Sequence, residues 1–479
     1  MSRSLFRTKT VSAETAEHGL ARSLGVLPLT MLGVGATIGT GIFFVMSEAV
    51  PKAGPGVLVA FLVAGVTAIL TAMCYAELAS SIPASGSAYS YVYVTMGEFP
   101  AFLVAACLVL EYGVAASATA IGWSGYLQAF FQQGFGWSLP LALRSPTLEA
   151  PDAGGVAWHL DHVNLPPMLL VALCAVLLCR GASESARANT IMVFLKLAVL
   201  AFFSFIAFRA FDAGNLHPFM SHGMGGVTAA AGTVFFTFVG LDTVSTGSFE
   251  ARNPKRDVPR ATLAAAAIVM VFYVVVALAA LGAQPAAKFA GQDAGLAVIL
   301  LNVTGMKWPA LVLSAGAVIS VFSVTLVTLY GQTRILFTMS NDGLAPKLFS
   351  EVSRKRRVPA KSSILVCTLV ALVAGTVDSN FLWDTVSLGT LLAFFTVSLS
   401  IPILRKRKSL AAFAKPGEGF RLPFGPWAIP LLSAAACVYV VHDLPNSAFI
   451  AAGTWLVLCC LWYGTVGVRS SVLARRAAA

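Results

Sequence analysis

Residues 33–43 read GVGATIGTGIF, and they lie in the middle of the first long apolar run of the chain. Gly33, Gly35, Gly39 and Gly41 fall within nine positions of one another there. Glycine carries no side chain to hold a helix and costs more order to fix than any other residue, so a helix through this stretch is expected to open after Ile38. Irregular backbone at bilayer depth persists only where protein buries it or where it lines a cavity. The stretch therefore predicts a ligand site inside a membrane domain.

The composition around it agrees. Of 479 residues 57% are hydrophobic and only 11% charged, and mean hydropathy is +0.81, which places the chain among polytopic membrane proteins as a single helical domain. A spanning helix needs about 20 mostly apolar residues. That ruler predicts twelve segments, near 27–50, 56–79, 99–130, 165–180, 188–210, 226–249, 261–283, 308–338, 362–378, 382–404, 426–442 and 447–468.

The formal net charge of +11 would suggest a nucleic-acid partner in a soluble protein, but its distribution argues otherwise. Of the 32 basic residues, only Lys52, Arg144, Arg209, Lys288, Lys307 and Lys196 fall outside the loops and tails of one side. Such asymmetry is topological: it puts residues 1–26 and the tail 469–479 in the cytoplasm and leaves the lipid bilayer, not nucleic acid, as the basic residues' partner. Residues 1–26 carry Arg3, Arg7, Lys9 and Arg22 without an early apolar core, so no signal peptide is expected.

The eight cysteines sit in or beside apolar segments without zinc-like spacing and are read as buried thiols. All six histidines fall in loops or at segment ends, so neither a nucleophile with its base nor a metal set is assembled within the membrane. Trp137, Trp158, His159 and His162 are read as interfacial loop residues. No enzyme, cofactor or metal is expected. No selectivity ring suggests a channel.

The sixth segment is interrupted as well. Gly232 and Gly240 flank Phe235, Phe236 and Phe238, and the polar residues Asp242, Thr243, Ser245 and Thr246 follow at once. Either cluster alone suits close helix packing. Breaks in the first and sixth of twelve segments are the pattern expected when five helices repeat, inverted, as the next five. The first repeat would cover 27–210, the second 211–404, and two further helices 405–468.

An opening after Ile38 frees the amides of Gly39, Thr40 and Gly41 at the positive end of a resumed helix, where a carboxylate is welcome. The carbonyls before it, with those around Phe236, Thr237 and Val239, would accept from an ammonium. The site thus suits the backbone of an amino acid, with Phe236 closing over it.

At these residues the chain resembles the amino acid-polyamine-organocation superfamily, and within it the cationic amino acid transporter family and its bacterial relatives. The resemblance rests on LGVGATIGTGIF, AGPG at 53–56, YAELASSIPASGSAYSYVYVTMGE at 75–98, LEY at 110–112, FVGLDTVSTGSFEARNPKRDVPRA at 238–261 and GQTRILFTMSNDGLAPKLF at 331–349. It implies an all-α membrane protein of the LeuT type, a five-plus-five inverted repeat with helices eleven and twelve outside it. It also implies an alternating-access amino acid permease that binds substrate carboxylate on the first break and amine on sixth-segment carbonyls. The run AACLVLEYGV departs from the Gly-Trp that often precedes Leu-Glu-Tyr in the family. Eukaryotic members carry two more helices at the carboxyl end, so the expected kinship is with the shorter bacterial branch.

Lys196 lies in the run IMVFLKLAVLAFF. An ammonium there costs ~2.5–3.5 kcal/mol on insertion scales, which makes it a functional residue by default; the alternative is a lysine snorkelling to the membrane face. The resemblance implies the role: in proton-coupled relatives a fifth-helix lysine stands where sodium-driven cousins hold a cation. Asp242 and Glu111 are further proton-coupling candidates, Glu77 is expected to cap or pair near the cytoplasm, and Val114, Ser117 and Leu326 are expected to line a side-chain pocket. The expected function is secondary active, proton-coupled amino acid symport across the cell (inner) membrane, with a cationic amino acid or polyamine exchanger as the alternative. No motif specifies which amino acid is carried or whether a small membrane subunit accompanies the chain.

Overall fold

The structure, a computed structural model, describes residues 6–9, 24–82, 88–149, 157–180, 186–246, 251–292, 294–353, 358–406 and 420–478. Most of the expected amino-terminal segment, and much of the basic loops expected around 354–357 and 407–419, lie outside the described residues.

The helices follow the apolar runs. In chain order they are α1 (Val26–Thr37), α2 (Thr40–Phe44), α3 (Met46–Ala53), α4 (Val57–Ser81), α5 (Ala88–Thr95), α6 (Glu98–Phe135), α7 (Leu165–Arg180), α8 (Ala186–Arg209) and α9 (Gly223–Phe235). They continue with α10 (Thr243–Thr246), α11 (Pro254–Ala283), α12 (Gly295–Thr304), α13 (Lys307–Asn341), α14 (Ala360–Thr376), α15 (Ser379–Lys406), α16 (Ala428–His442) and α17 (Asn446–Trp462). Ends are marked by ordinary stop chemistry. At the end of α6, Gly136 takes φ +68° and its amide reaches Gln132 O, and Pro254 opens α11 where a missing N–H does no harm.

Among the described residues nine helical stretches are long and apolar enough to cross a membrane, and four apolar helices are shorter. Three of those four, α7, α14 and α16, stand where the fourth, ninth and eleventh segments were expected. The fourth, α12, lies between the seventh and eighth expected segments. One feature breaks the all-helical expectation: β1 (Leu148–Glu149) pairs antiparallel with β2 (Ala157–Trp158), Leu148 opposite Trp158.

Burial sorts the spans into centre and rim. In an 18-residue apolar window of each of Val26–Phe44, Gly223–Ser245 and Phe381–Lys406 the buried share is 71%, 67% and 72%, whereas in that of Asn446–Ser470 it is 11%, and this stretch turns Leu, Ile and Val side chains outward. The two interrupted segments therefore run through the middle of the bundle. One buried charge is firmly paired: Arg405 grips Glu77 with two hydrogen bonds of 2.7 and 2.6 Å, and the Leu422 amide adds a third of 2.8 Å. That is the pairing expected of Glu77. At the far end of α13, Lys9 and the Tyr89 hydroxyl both donate to Asp342, at 2.8 and 2.7 Å.

Candidate functional site

The first segment opens where the glycines predict. Helix α1 ends at Thr37, Ile38 takes an extended ψ of 91°, Gly39 sits at φ −128°, ψ −142°, and helix resumes at Thr40. The resumed helix passes Val45 in helical conformation and runs on through α3. Its first amides, those of Gly39, Thr40 and Gly41, have no partner inside their own helix. Thr40 enters only through its backbone, because its side chain lies outside the described residues.

The sixth segment opens differently. Helix α9 tightens into a single 3-10 turn over Phe236–Phe238, Val239 turns extended at ψ 137°, and Gly240 adopts φ +103° before α10 begins. Only glycine takes that angle without strain.

The two breaks touch. A β-carbon on Gly41 would stand 2.9 Å from Thr237 Cα, and one on Gly240 would stand 2.8 Å from Ala36 O. The glycines thus allow backbone-to-backbone approach as well as opening. Helix packing and chain interruption, set out above as alternatives for each cluster, are both true of this pair. Gly39 faces the side chain of Val324 on α13, which a β-carbon would meet at 2.9 Å.

Tyr273 of α11 joins the breaks chemically. Its buried hydroxyl lies 3.0 Å from Thr37 O and 2.7 Å from Thr237 O, the carbonyls that end the helical ladders on either side. The Thr237 carbonyl, expected to accept from an ammonium, here accepts from Tyr273. The Phe236 carbonyl likewise accepts from the Val239 amide at 3.1 Å.

Around the breaks stands an aromatic cluster. Phe236 packs edge-on against Trp383 at 4.2 Å between ring centres, Phe44 stacks on the same indole at 5.3 Å, and Val114 and Val239 pack beside them. The Trp383 Nε1–H is buried without a hydrogen-bond partner among the described residues. Next to it Asp384 accepts from Lys52 at 3.3 Å and from the Thr233 hydroxyl at 2.9 Å, tying α3, α9 and α15 together.

Lys196 is 2% exposed and donates to Gly35 O at 3.0 Å, one turn before the first break. It does not snorkel. Tyr112 donates to Asp242 at 3.2 Å, and Glu111, its neighbour on α6, is buried. Glu111 Oε2 and Asp242 Oδ1 take no hydrogen bond among the described residues.

Two pocket expectations are corrected. Leu326 packs with Ala116, Trp123 and Leu170 in a separate apolar cluster, because the turn of α13 that reaches the break presents Val324 instead. The Ser117 hydroxyl is spent on Gly113 O and Val370 O, and Ser117 lines a cavity of about 370 Å³ shared with Gln332 and Trp455. A larger groove of about 840 Å³ is lined by Leu127, Trp137, Leu165 and Cys367. Neither includes a residue of the breaks. Tyr273, Val324, Phe44 and Trp383 escaped the sequence reading, and only the Trp-Asp pair at 383–384, polar at the head of an apolar run, offered a signal.

Residues 24–464 match the family described as Amino acid permease. The chain is 38% identical over 477 residues to the methylthioribose transporter of Bacillus subtilis (strain 168), covering 98% of this chain and 99% of that one. It is also 38% identical over 462 residues to the branched-chain amino acid permease BcaP of the same organism, covering 96% of each. The vacuolar cationic amino acid transporter 4 of Arabidopsis thaliana is 35% identical over 395 residues, 81% of this chain and 64% of that protein.

Proposed function

The chain belongs to the amino acid permease family, a family of multi-pass membrane transporters and not of enzymes, and from that premise we propose that it is a secondary active amino acid transporter working by alternating access. The twelve segments form a LeuT-type five-plus-five inverted repeat with two helices outside it, set in the cell (inner) membrane with both termini cytoplasmic. The observation that carries the reading is the meeting of two chain breaks in two of the three most buried spans, with backbone close to backbone at Gly41–Thr237 and Gly240–Ala36.

The substrate's carboxylate is held by the amides of Gly39, Thr40 and Gly41, backed by the dipole of the resumed helix. Its amine is held by the carbonyls near Ile38 and Val239 that Tyr273 leaves open. Phe44, Phe236, Trp383, Val114 and Val324 give the side chain an apolar, aromatic lining. That lining favours a branched or other neutral side chain, as the name of the branched-chain relative suggests, over a cationic one.

Transport is coupled to protons. Lys196, bonded to the carbonyl of Gly35, ties the charge state of α8 to the shape of α1, and Glu111 and Asp242 supply further proton-holding groups. Exchange of cationic amino acids or polyamines is the competing mechanism, and it predicts accumulation that ignores the pH gradient.

Uptake into proteoliposomes tests both readings. Radiolabelled leucine, isoleucine or valine should accumulate when the lumen is alkaline relative to the bath, and not when the gradient is collapsed. Counterflow of equal size with and without a gradient, or selective uptake of arginine or spermidine, would overturn the proposal.

A further inference from the structure

The loop between α6 and α7 carries a second, unrelated cluster. His159, Asp161 and His162 each offer one donor atom, and all three atoms lie within 4.8 Å of one another. The two imidazoles stack at 5.1 Å between centres, and His162 Nε2 lies 3.9 Å from Asp161 Oδ2. His162 Nδ1 is buried and takes no hydrogen bond among the described residues.

The backbone holds this turn in place. Thr147 clasps it from both sides, its carbonyl accepting from the His159 amide at 2.8 Å and its hydroxyl donating to His162 O at 2.6 Å. The His162 amide closes the turn on His159 O at 2.9 Å, and the Val163 and Asn164 amides anchor its far end to Ala142 O and Gly375 O. The β1–β2 pair and the bond from the Asp378 amide to Leu148 O brace the other side. A loop residue pair that only marks the membrane interface needs none of this bracing.

We propose that His159, Asp161 and His162 form a binding site for a divalent transition-metal ion of the zinc class. Two imidazoles and a carboxylate are the ligand types such ions take, at bond lengths of about 2.0–2.2 Å. Tetrahedral donors at that length stand about 3.4 Å apart, so small side-chain rotations close the observed spacing. Asp161 is exposed, which leaves room for water as the fourth ligand. The ligands come from four consecutive positions on a turn already fixed by hydrogen bonds, so little order is lost on binding.

The site also touches the rest of the molecule. The turn hangs on Gly375 and its hairpin on Asp378, a few residues ahead of Trp383 in the aromatic cluster. An ion there would stiffen the start of α15.

The test uses tag-free, full-length protein in lipid nanodiscs, titrated with Zn²⁺ alone by calorimetry and with Co²⁺ by visible absorption. The wild type should bind one more equivalent of Zn²⁺ than either Asp161→Asn or His159→Gln, or each variant should bind it ~10-fold or more weakly, the loss that even outer-shell changes bring. Both side chains are at least partly exposed, and equal melting temperatures of metal-free wild type and variants establish that folding is unchanged. Zn²⁺ isotherms that superimpose for wild type and both variants, or an absence of saturable binding, would overturn the site.

Discussion

The two breaks differ in where their polar groups go. In the first segment the chain opens over two residues and resumes as a helix, so its fresh amides point away from their own strand of helix. In the sixth the opening is longer and folds back on itself: Val239 N bonds Phe236 O, Thr243 N bonds Gly240 O at 3.0 Å, and the Ser245 hydroxyl bonds Asp242 O at 2.6 Å. One break offers donors and the other keeps most of its hydrogen bonds at home. The first is suited to grip a ligand, the second to shape the wall against which it is gripped.

The sharpest way to break this contrast is through Lys196, whose ammonium is bonded to a backbone carbonyl of the helix that precedes the first break. Lys196→Ala should reduce gradient-driven uptake to background while leaving gradient-free counterflow measurable and the far-ultraviolet circular dichroism unchanged. Retained accumulation would mean that the lysine only packs.

A smaller effect comes from closing the contact itself. Gly240→Ala places a β-carbon on a backbone carbonyl at a positive φ, and should cost about 1–3 kcal/mol, read as a fall in melting temperature. Gly41→Ala meets Thr237 at ordinary φ, so it should cost less stability than Gly240→Ala yet weaken substrate binding more. The reverse order would assign the gripping role to the sixth segment.

Tyr273→Phe should have the mildest outcome. It removes the single hydroxyl hydrogen that the Thr37 and Thr237 carbonyls share, a loss of about 1–2 kcal/mol that a water entering the break can offset. Ligand-induced thermal stabilisation should survive it. If that stabilisation vanished instead, the hydroxyl would be part of the binding surface and not a tie between the breaks.

Much of the membrane domain was legible because the relevant signals are local. Runs of apolar residues mark spans, glycines mark openings, and the placement of the first break after Ile38 followed from four residues of one kind. The site's walls were not legible in the same way. Val324, Tyr273 and Trp383 arrive from α13, α11 and α15, and nothing in an all-apolar helix states which of its faces meets the break. Leu326 was expected where Val324 stands because two residues on a helix are 200° apart, and the sequence does not fix the rotation. Lys196 was legible as an anomaly, but its partner, a backbone carbonyl, has no side-chain signature at all.

Two helices set the scale for everything else. Helix α6 has 38 residues and α13 has 35, lengths on the order of 57 and 52 Å at 1.5 Å per residue, against hydrocarbon of about 30 Å. Rods so much longer than the oil they cross must lean or protrude, and a leaning rod changes its angle whenever the surrounding lipid thickens or thins. Since Val114 and Val324 ride on these two rods, the width of the bilayer becomes one of the quantities that decides how tightly the walls press on what lies between them.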